Sequence, residues 1–293
     1  MPEQAYYTQQ LKIKDPNFSI DHLQDYSLLM QAGNAEFQLA VVDVKSSRCL
    51  LLEHYSLHQV YSYQDFVHLV QQMFEEHHLL MAGFWHSVKF SVKNLRFSLV
   101  PAALFDRDSL PLYLNPVTPV PQQDELLYYS HIKNKVITVF GVESHLLNWL
   151  NTRYPNLRLQ VLHHISAFTE GVLHSPDHSS RKNVFLLQEG SLLSVLITES
   201  GQLFYGNIFR TKGPQDVVRY CTMLFKQFGL DQQHTKVQIW GDVQAESDWF
   251  TGLAQYFQLL SFGSRPRFLR FRYMFDEAPD HRFFDLFSLY LCE

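Results

Sequence analysis

One structural unit appears twice in this chain, and that repetition most limits what the chain can fold into. In the later copy, residues 183–228, apolar residues run or alternate through Val184–Gln188, Leu192–Thr198 and Leu203–Phe209. Gly190 and Ser200-Gly201 mark the reversals between them. This spacing predicts three successive antiparallel strands joined by tight turns. Thr211-Lys212-Gly213-Pro214 then stops the strands. Thr211 or Gly213 is placed to cap a helix with Pro214 in its first turn, and Asp216 complements the positive helix start. Val217, Tyr220, Cys221, Leu224, Phe225 and Phe228 follow at helical spacing, so one face is buried.

The earlier copy spans residues 26–77. Leu28–Gln31, Phe37–Val44 and Cys49–Leu57 read as strands, with turns at Ala32-Gly33-Asn34 and Lys45-Ser46-Ser47. A helix starts at Ser62 or Tyr63 and buries Phe66, Val67, Leu69, Val70, Met73 and Phe74. Individual residues match as well: Leu28–Gly33 lies against Phe185–Gly190, and Tyr63–Val67 against Pro214–Val218. Pattern, turn position and residue identity agree in two places, which predicts an internal duplication.

Between and after the copies the chain keeps alternating strands and helices. Residues 1–16 read as a polar arm or an edge strand ending at Pro16. His86–Lys93 and Arg96–Val100 read as short strands, and Ala102–Phe105 as a short helical turn. Pro111, Pro116, Pro119 and Pro121 predict an irregular connection over 110–123. Leu126–Ile132 and Lys135–Phe140 form a hairpin around Lys133-Asn134. Glu143–Arg153 is a helix, Leu157–Leu162 a strand and 164–173 a helix. The polar passage His174–Lys182 is the expected domain boundary. Beyond the second copy, Lys236–Trp240 reads as a strand, Glu246–Tyr256 as a helix and Arg267–Tyr273 as a strand. Asp280 is placed to cap a last helix, Phe283–Leu291.

Strands alternating with helices after a three-stranded meander imply an α/β protein with mixed sheets. The expected halves are 1–178, with an inserted segment around 106–140, and 179–293, whose last helix packs back on the first half. Hydrophobic content of 46%, with 24 Phe and 15 Tyr, can fill two cores with aromatic packing. A formal charge of −5 creates no global field for nucleic acid or anionic membranes. Cys49, Cys221 and Cys292 are scattered without a CxxC pair, and the N-terminus lacks an apolar leader core. No stretch has the length of a membrane span. These features predict a cytoplasmic protein.

Phe97–Phe105, the passage Gly141–His164 and the second copy through Trp240-Gly241-Asp242 resemble a bacterial family of uncharacterised proteins, domain-of-unknown-function family 3822. That resemblance implies an actin-like ATPase fold: two tandem ribonuclease-H-like domains, as in the superfamily of actin, sugar kinases and heat-shock chaperones. It also implies a nucleotide cleft. Active members of the superfamily place an Asp-x-Gly turn between the first two strands of each half. Turn amides hold phosphates, the carboxylates organise Mg²⁺, and a later glycine lets adenosine approach the backbone.

In this chain the corresponding turns are Gln31-Ala32-Gly33 and Gln188-Glu189-Gly190, with Gly241 at the later position. Gln31, Gly33, Gln188, Gly190 and Gly241 are therefore the candidate nucleotide-binding residues, with ATP and Mg²⁺ as the implied cofactors. The glycines also suit plain hairpin turns, which use glycine for positive φ. A neutral amide gives a hard dication no charge, so the two glutamines argue against a working ATPase and for a binding or scaffold module with a protein partner. No catalytic residue and no metal ligand is assigned. The alternative is an ATP-binding member whose Mg²⁺ uses Asp43, Glu189 or Asp242.

Other motifs point to less. The 15 histidines, including His77-His78 and His163-His164, show no HExxH and read as surface or interface residues. Asp106 and Asp108 read as a solvated loop. Arg265–Phe275 interleaves arginine and aromatic residues, a pattern that can bind RNA. Its alternation also fits a half-buried edge strand, with Arg270 and Arg272 outward. With the acidic net charge, nucleic-acid binding is not expected. Walker A and G-x-S-x-G sequences are absent.

Overall fold

A computed structural model of the chain describes residues 6–155, 157, 159–174 and 181–293. Strand β1 (Tyr7–Lys14) leads into β2 (Tyr26–Gly33), β3 (Glu36–Asp43) and β4 (Arg48–Leu57). Helix α1 (Tyr63–Glu76), α2 (His78–Met81) and β5 (Ser87–Val92) follow. After β6 (Phe97–Pro101), α3 (Leu110–Leu114), β7 (Asp124–His131), β8 (Val136–Glu143) and α4 (Ser144–Arg153), β9 (Leu159–His163) returns to the first sheet and α5 (His164–His174) leaves it. Then come β10 (Asn183–Glu189), β11 (Leu192–Glu199), β12 (Gln202–Arg210), α6 (Pro214–Gln227), β13 (Val237–Gly241), α7 (Asp248–Ala254), β14 (Leu260–Phe262) and α8 (Phe284–Ser288).

Two sheets repeat one topology. The first runs β1-β4-β3-β2-β5-β9 and the second β12-β11-β10-β13-β14. In each, the central strand pairs antiparallel with the next hairpin strand and parallel with the strand that follows the helix. This is the ribonuclease-H-like order, present twice. A third sheet, β6-β8-β7, rises from the first half with α3 against it, where Phe105, Leu110 and Tyr113 cover Val100, Ile137 and Val139. Among the described residues, no helix is long and apolar enough to cross a membrane.

The sheets are buried on both faces, which is why their central strands read as continuous apolar runs. Along β10, Val184 and Leu186 face the layer of α6, with Val217, Cys221, Leu224 and Phe225. Phe185 and Leu187 face the core shared with α5. Helix α1 begins with a capping box: Ser62 accepts from the Asp65 amide while Asp65 accepts from the Ser62 amide. The C-terminal segment crosses to the first half. Phe284 lies between Phe168 of α5 and Trp240 of β13, at 6.2 and 4.7 Å between ring centroids. Lys89 of β5 donates to the carbonyls of Tyr290 and Cys292.

The structure corrects four expectations. Residues 110–114 are helical, because Pro111 sits in the first turn of α3, where no helix hydrogen bond is lost. Arg267–Tyr273 is no strand: it makes one isolated bridge, Arg48 to Arg270, and runs into a 3-10 turn at Tyr273–Glu277. Asp280 does not cap the last helix. It pairs with Arg265 at 2.8 Å, and Phe283, in the left-handed region, precedes α8. His163 and His164 are fully buried rather than at the surface. The expected boundary at 174–182 falls largely outside the described residues.

Candidate functional site

The β2–β3 turn of the first sheet and the β10–β11 turn of the second open on one cleft of about 570 Å³. Gly33, Asn34, Ala35 and Glu36 line one side, and Glu189, Gly190, Ser191 and Leu192 the other. Gly190 is left-handed, φ +51°, with nothing within 4 Å of an added Cβ, so the turn geometry alone accounts for it. Gly33 is not at positive φ. An added Cβ there would stand 3.1 Å from the Cβ of Lys93, so the lysine stem packs closely over the glycine.

The expected glutamines do not line the cleft. Gln31 is fully buried and donates through Nε2 to Asp285 Oδ2 at 2.5 Å. Gln188 turns back on its own hairpin, donating to the Gly190 carbonyl at 2.7 Å. Gly241 has φ +104°, and an added Cβ would lie 2.0 Å from the Gln188 carbonyl oxygen. The close parallel pairing of β13 with β10 at Gln188 therefore demands glycine there. Of the three alternative carboxylates, Glu189 and Asp242 line the cleft. Asp43 instead accepts from the Lys45 and Ser46 amides of its own turn.

Sequence reasoning missed the central group. Lys93 follows β5, is almost completely buried, and reaches Glu36 Oε1 at 2.7 Å and Glu189 Oε2 at 2.6 Å, with Asp285 Oδ2 at 3.9 Å. It thereby joins the two turns. Burial alone would lower Lys93, but Glu189, Glu36 and Asp285 outweigh that and raise it. Burial likewise opposes the charge on Glu36, yet Lys93 and His54 hold it well below the carboxylate range. Glu189 lies on the other side of the balance: burial and the Asp285 charge push it well above that range despite Lys93. One ammonium cannot fully serve three carboxylates, two of which, Glu189 and Asp285, are buried. The available signal was Asp285 itself, a lone acid in the apolar run Phe283–Leu291.

Beside this cluster, His164 bridges the halves. Its Nδ1 faces the Val92 carbonyl at 3.3 Å and its Nε2 the Ser194 hydroxyl at 3.3 Å. Burial holds His164 well below the usual histidine range and His163 down to about 3. Glu53 is held down to about 2: burial opposes its charge, but hydrogen bonds from His77, Tyr55 and Lys12 outweigh it.

All three groups contribute stability above their unfolded pKa values and lose it as pH falls toward the folded ones, because the unfolded chain binds more protons there. Glu189, being raised, works in the opposite direction. Stability is expected to fall as pH drops from about 6.5 toward 3, by about 1.4 kcal/mol per pH unit for each group in its window. Urea unfolding at stepped pH reads this. A flat profile would contradict buried neutral histidines.

The basic stretch is partly neutralised. Arg265 pairs with Asp276 and Asp280, and Arg272 approaches Asp15 at 3.4 Å. Among the described residues, no cluster of three or more His, Cys, Asp or Glu is arranged to hold a metal ion.

The family described as "Protein of unknown function (DUF3822)" matches residues 15–260. The chain belongs to this family. The DUF3822 chain is similar to a solved Bacteroides thetaiotaomicron protein with actin-like ATPase fold and unknown function. The TM-score is 0.80 at 16% identity, over 94% of this chain and 99% of that one. It is also similar to a chain of the PilM–PilN type IV pilus biogenesis complex, with a TM-score of 0.60 at 11% identity, over 90% and 97% of the two chains. At these identities the likeness establishes the actin-like fold alone. No curated protein matches the chain.

Mg²⁺ and ATP fit these residues poorly. The amides of Gln31 and Gln188 are turned away from the cleft, and Glu36 and Glu189 already hold the Lys93 ammonium.

Proposed function

We infer that this DUF3822 member is a cytoplasmic, non-catalytic binding or scaffold module of actin-like fold. In this reading Lys93 is a built-in counter-ion that joins the two turns of a degenerate nucleotide cleft. The observation that carries it is the ammonium of Lys93, 2.7 Å from Glu36 and 2.6 Å from Glu189. A fixed ammonium cannot exchange with substrate or polarise a transferring phosphoryl group as a hydrated metal does. The five-strand order that the two sheets share, with β1 an added edge strand on the first, supports a tandem duplication with halves 1–178 and 179–293. A PilM–PilN assembly on the same fold supports a protein partner for this chain as well.

Calorimetric titration with ATP, with and without Mg²⁺, is expected to give no saturable binding at millimolar nucleotide and no phosphate release above background. Micromolar Mg²⁺-dependent binding or steady turnover would overturn this reading.

A further inference from the structure

The two sheets differ at one edge. In the first, β1 pairs antiparallel along β4 from Tyr7↔Leu57 to Lys14↔Leu51. The equivalent strand of the second sheet, β12, pairs with β11 on one side, and among the described residues no strand covers the other. An uncovered edge presents a row of backbone donors and acceptors, which folded proteins protect by shortness, charge or proline. The other edges carry such protection. Strand β1 holds Lys12 and Lys14, β7 holds Asp124 and Glu125, and β6 ends at Pro101, while β9 and β14 have five and three residues. Strand β12 has nine residues, and none from Gln202 to Phe209 is charged or proline.

Backbone groups alternate inward and outward along an antiparallel ladder. The Ile208 amide donates to the side-chain oxygen of Asn207 at 2.9 Å, so a neighbouring side chain stands where another strand would accept. Gly206, two residues earlier, turns its backbone groups the same way. Among the described residues it makes no backbone hydrogen bond outside the β11 ladder. The one register shift lies near the turn, between Ile197 and Thr198, and leaves Tyr205–Arg210 in regular pairing with β11. Leu99 packs against Gly206 on one face and Ile208 is buried, whereas Phe204 is 44% exposed.

We propose that β12 pairs antiparallel with β12 of a second copy, joining two five-strand sheets into one continuous sheet across a two-fold axis near Gly206. Two observations favour a copy of this chain over a strand of another protein. The edge is uncharged through its middle, so nothing there repels its own copy, and at Gly206 two copies meet with no side chain between them. Its ends are complementary. Arg210 is exposed with no ion-pair partner among the described residues, while Glu199, 45% exposed and 3.7 Å from Lys182, flanks the turn end. Antiparallel pairing brings each Arg210 to the Glu199 end of the other copy. This association is independent of what the cleft binds.

The test is sedimentation velocity of the full chain from low to high micromolar concentration, with hydrogen exchange read at Gly206. The chain is expected to pass from one copy to two, and exchange at the Gly206 amide to slow as it does. Asn207→Asp keeps an acceptor for the Ile208 amide and places a carboxylate beside the axis in each copy. It is expected to weaken association roughly tenfold, with the thermal midpoint of the dilute chain unchanged. Arg210→Glu should weaken association too, and adding Glu199→Arg should restore it.

A chain that stays monomeric at every concentration overturns this pairing and leaves the edge to a strand of another protein. So does a dimer in which Gly206 exchange stays fast, or in which Asn207→Asp and Arg210→Glu change nothing, because another surface then joins the copies.

Discussion

Lys93→Met lowers stability by about 3–5 kcal/mol, because it leaves buried carboxylates without their cation. The side chain of Lys93 is 3% exposed, and those of Glu189 and Asp285 are 8% and 0% exposed, so water cannot take the place of the ammonium. Methionine keeps roughly the volume of the stem, which separates loss of charge from loss of packing. The measurement is urea unfolding of the variant beside the parent. A second substitution, Glu189→Gln, should recover part of the loss, since it removes one of the charges that Lys93 had balanced. The coupling in such a double-mutant cycle is expected at about 0.5–3 kcal/mol. Additive effects would mean that Lys93 and Glu189 do not act together, and the built-in counter-ion would lose its support. The deficit should also shrink in acid, where the orphaned carboxylates take up protons.

Gly241→Ala should destabilise by about 3 kcal/mol or more, combining roughly 1–3 kcal/mol of backbone strain with a similar overpacking cost. At φ +104° an L-residue is strained, and the new methyl would stand 2.0 Å from a backbone oxygen of Gln188, which cannot rotate away. Two contacts hold this end of β13 in place: the Gly241 amide donates to the His281 carbonyl and the Asp242 amide to the Gln188 carbonyl, both at 2.9 Å. The effect is expected equally with and without added nucleotide. A variant of parental stability that had lost a ligand would instead assign Gly241 to binding. Thermal unfolding of Gly241→Ala, in the presence and absence of ATP, distinguishes the two.

Much of the architecture was legible in the amino-acid order because it rests on local rules. Strand alternation, the turn glycine at 190, and helical spacing in 63–76 and 214–227 depend on residues within one unit. The matching units encode two sheets that share a five-strand order. Where local rules compete, sequence was a weaker guide. Pro111 looked like a breaker but starts a helix. The alternation over 267–273 imitates a strand, yet its segment has no neighbouring strand beyond the bridge at Arg270.

The site divides along the same line. Its two turns are properties of short segments, and the chain's order alone placed Gln31 and Gln188 two residues before the turn glycines Gly33 and Gly190. What fills the floor was decided only by tertiary structure. Glu36, Lys93, Glu189 and Asp285 come from four separate elements, and Lys93 and Asp285 are 192 positions apart in sequence by their numbering. Their meeting depends on the C-terminal segment crossing back to the first sheet and on burial that makes each charge require a partner. No sequence window contains that information, because electrostatic energy depends on distance and solvent exposure in three dimensions.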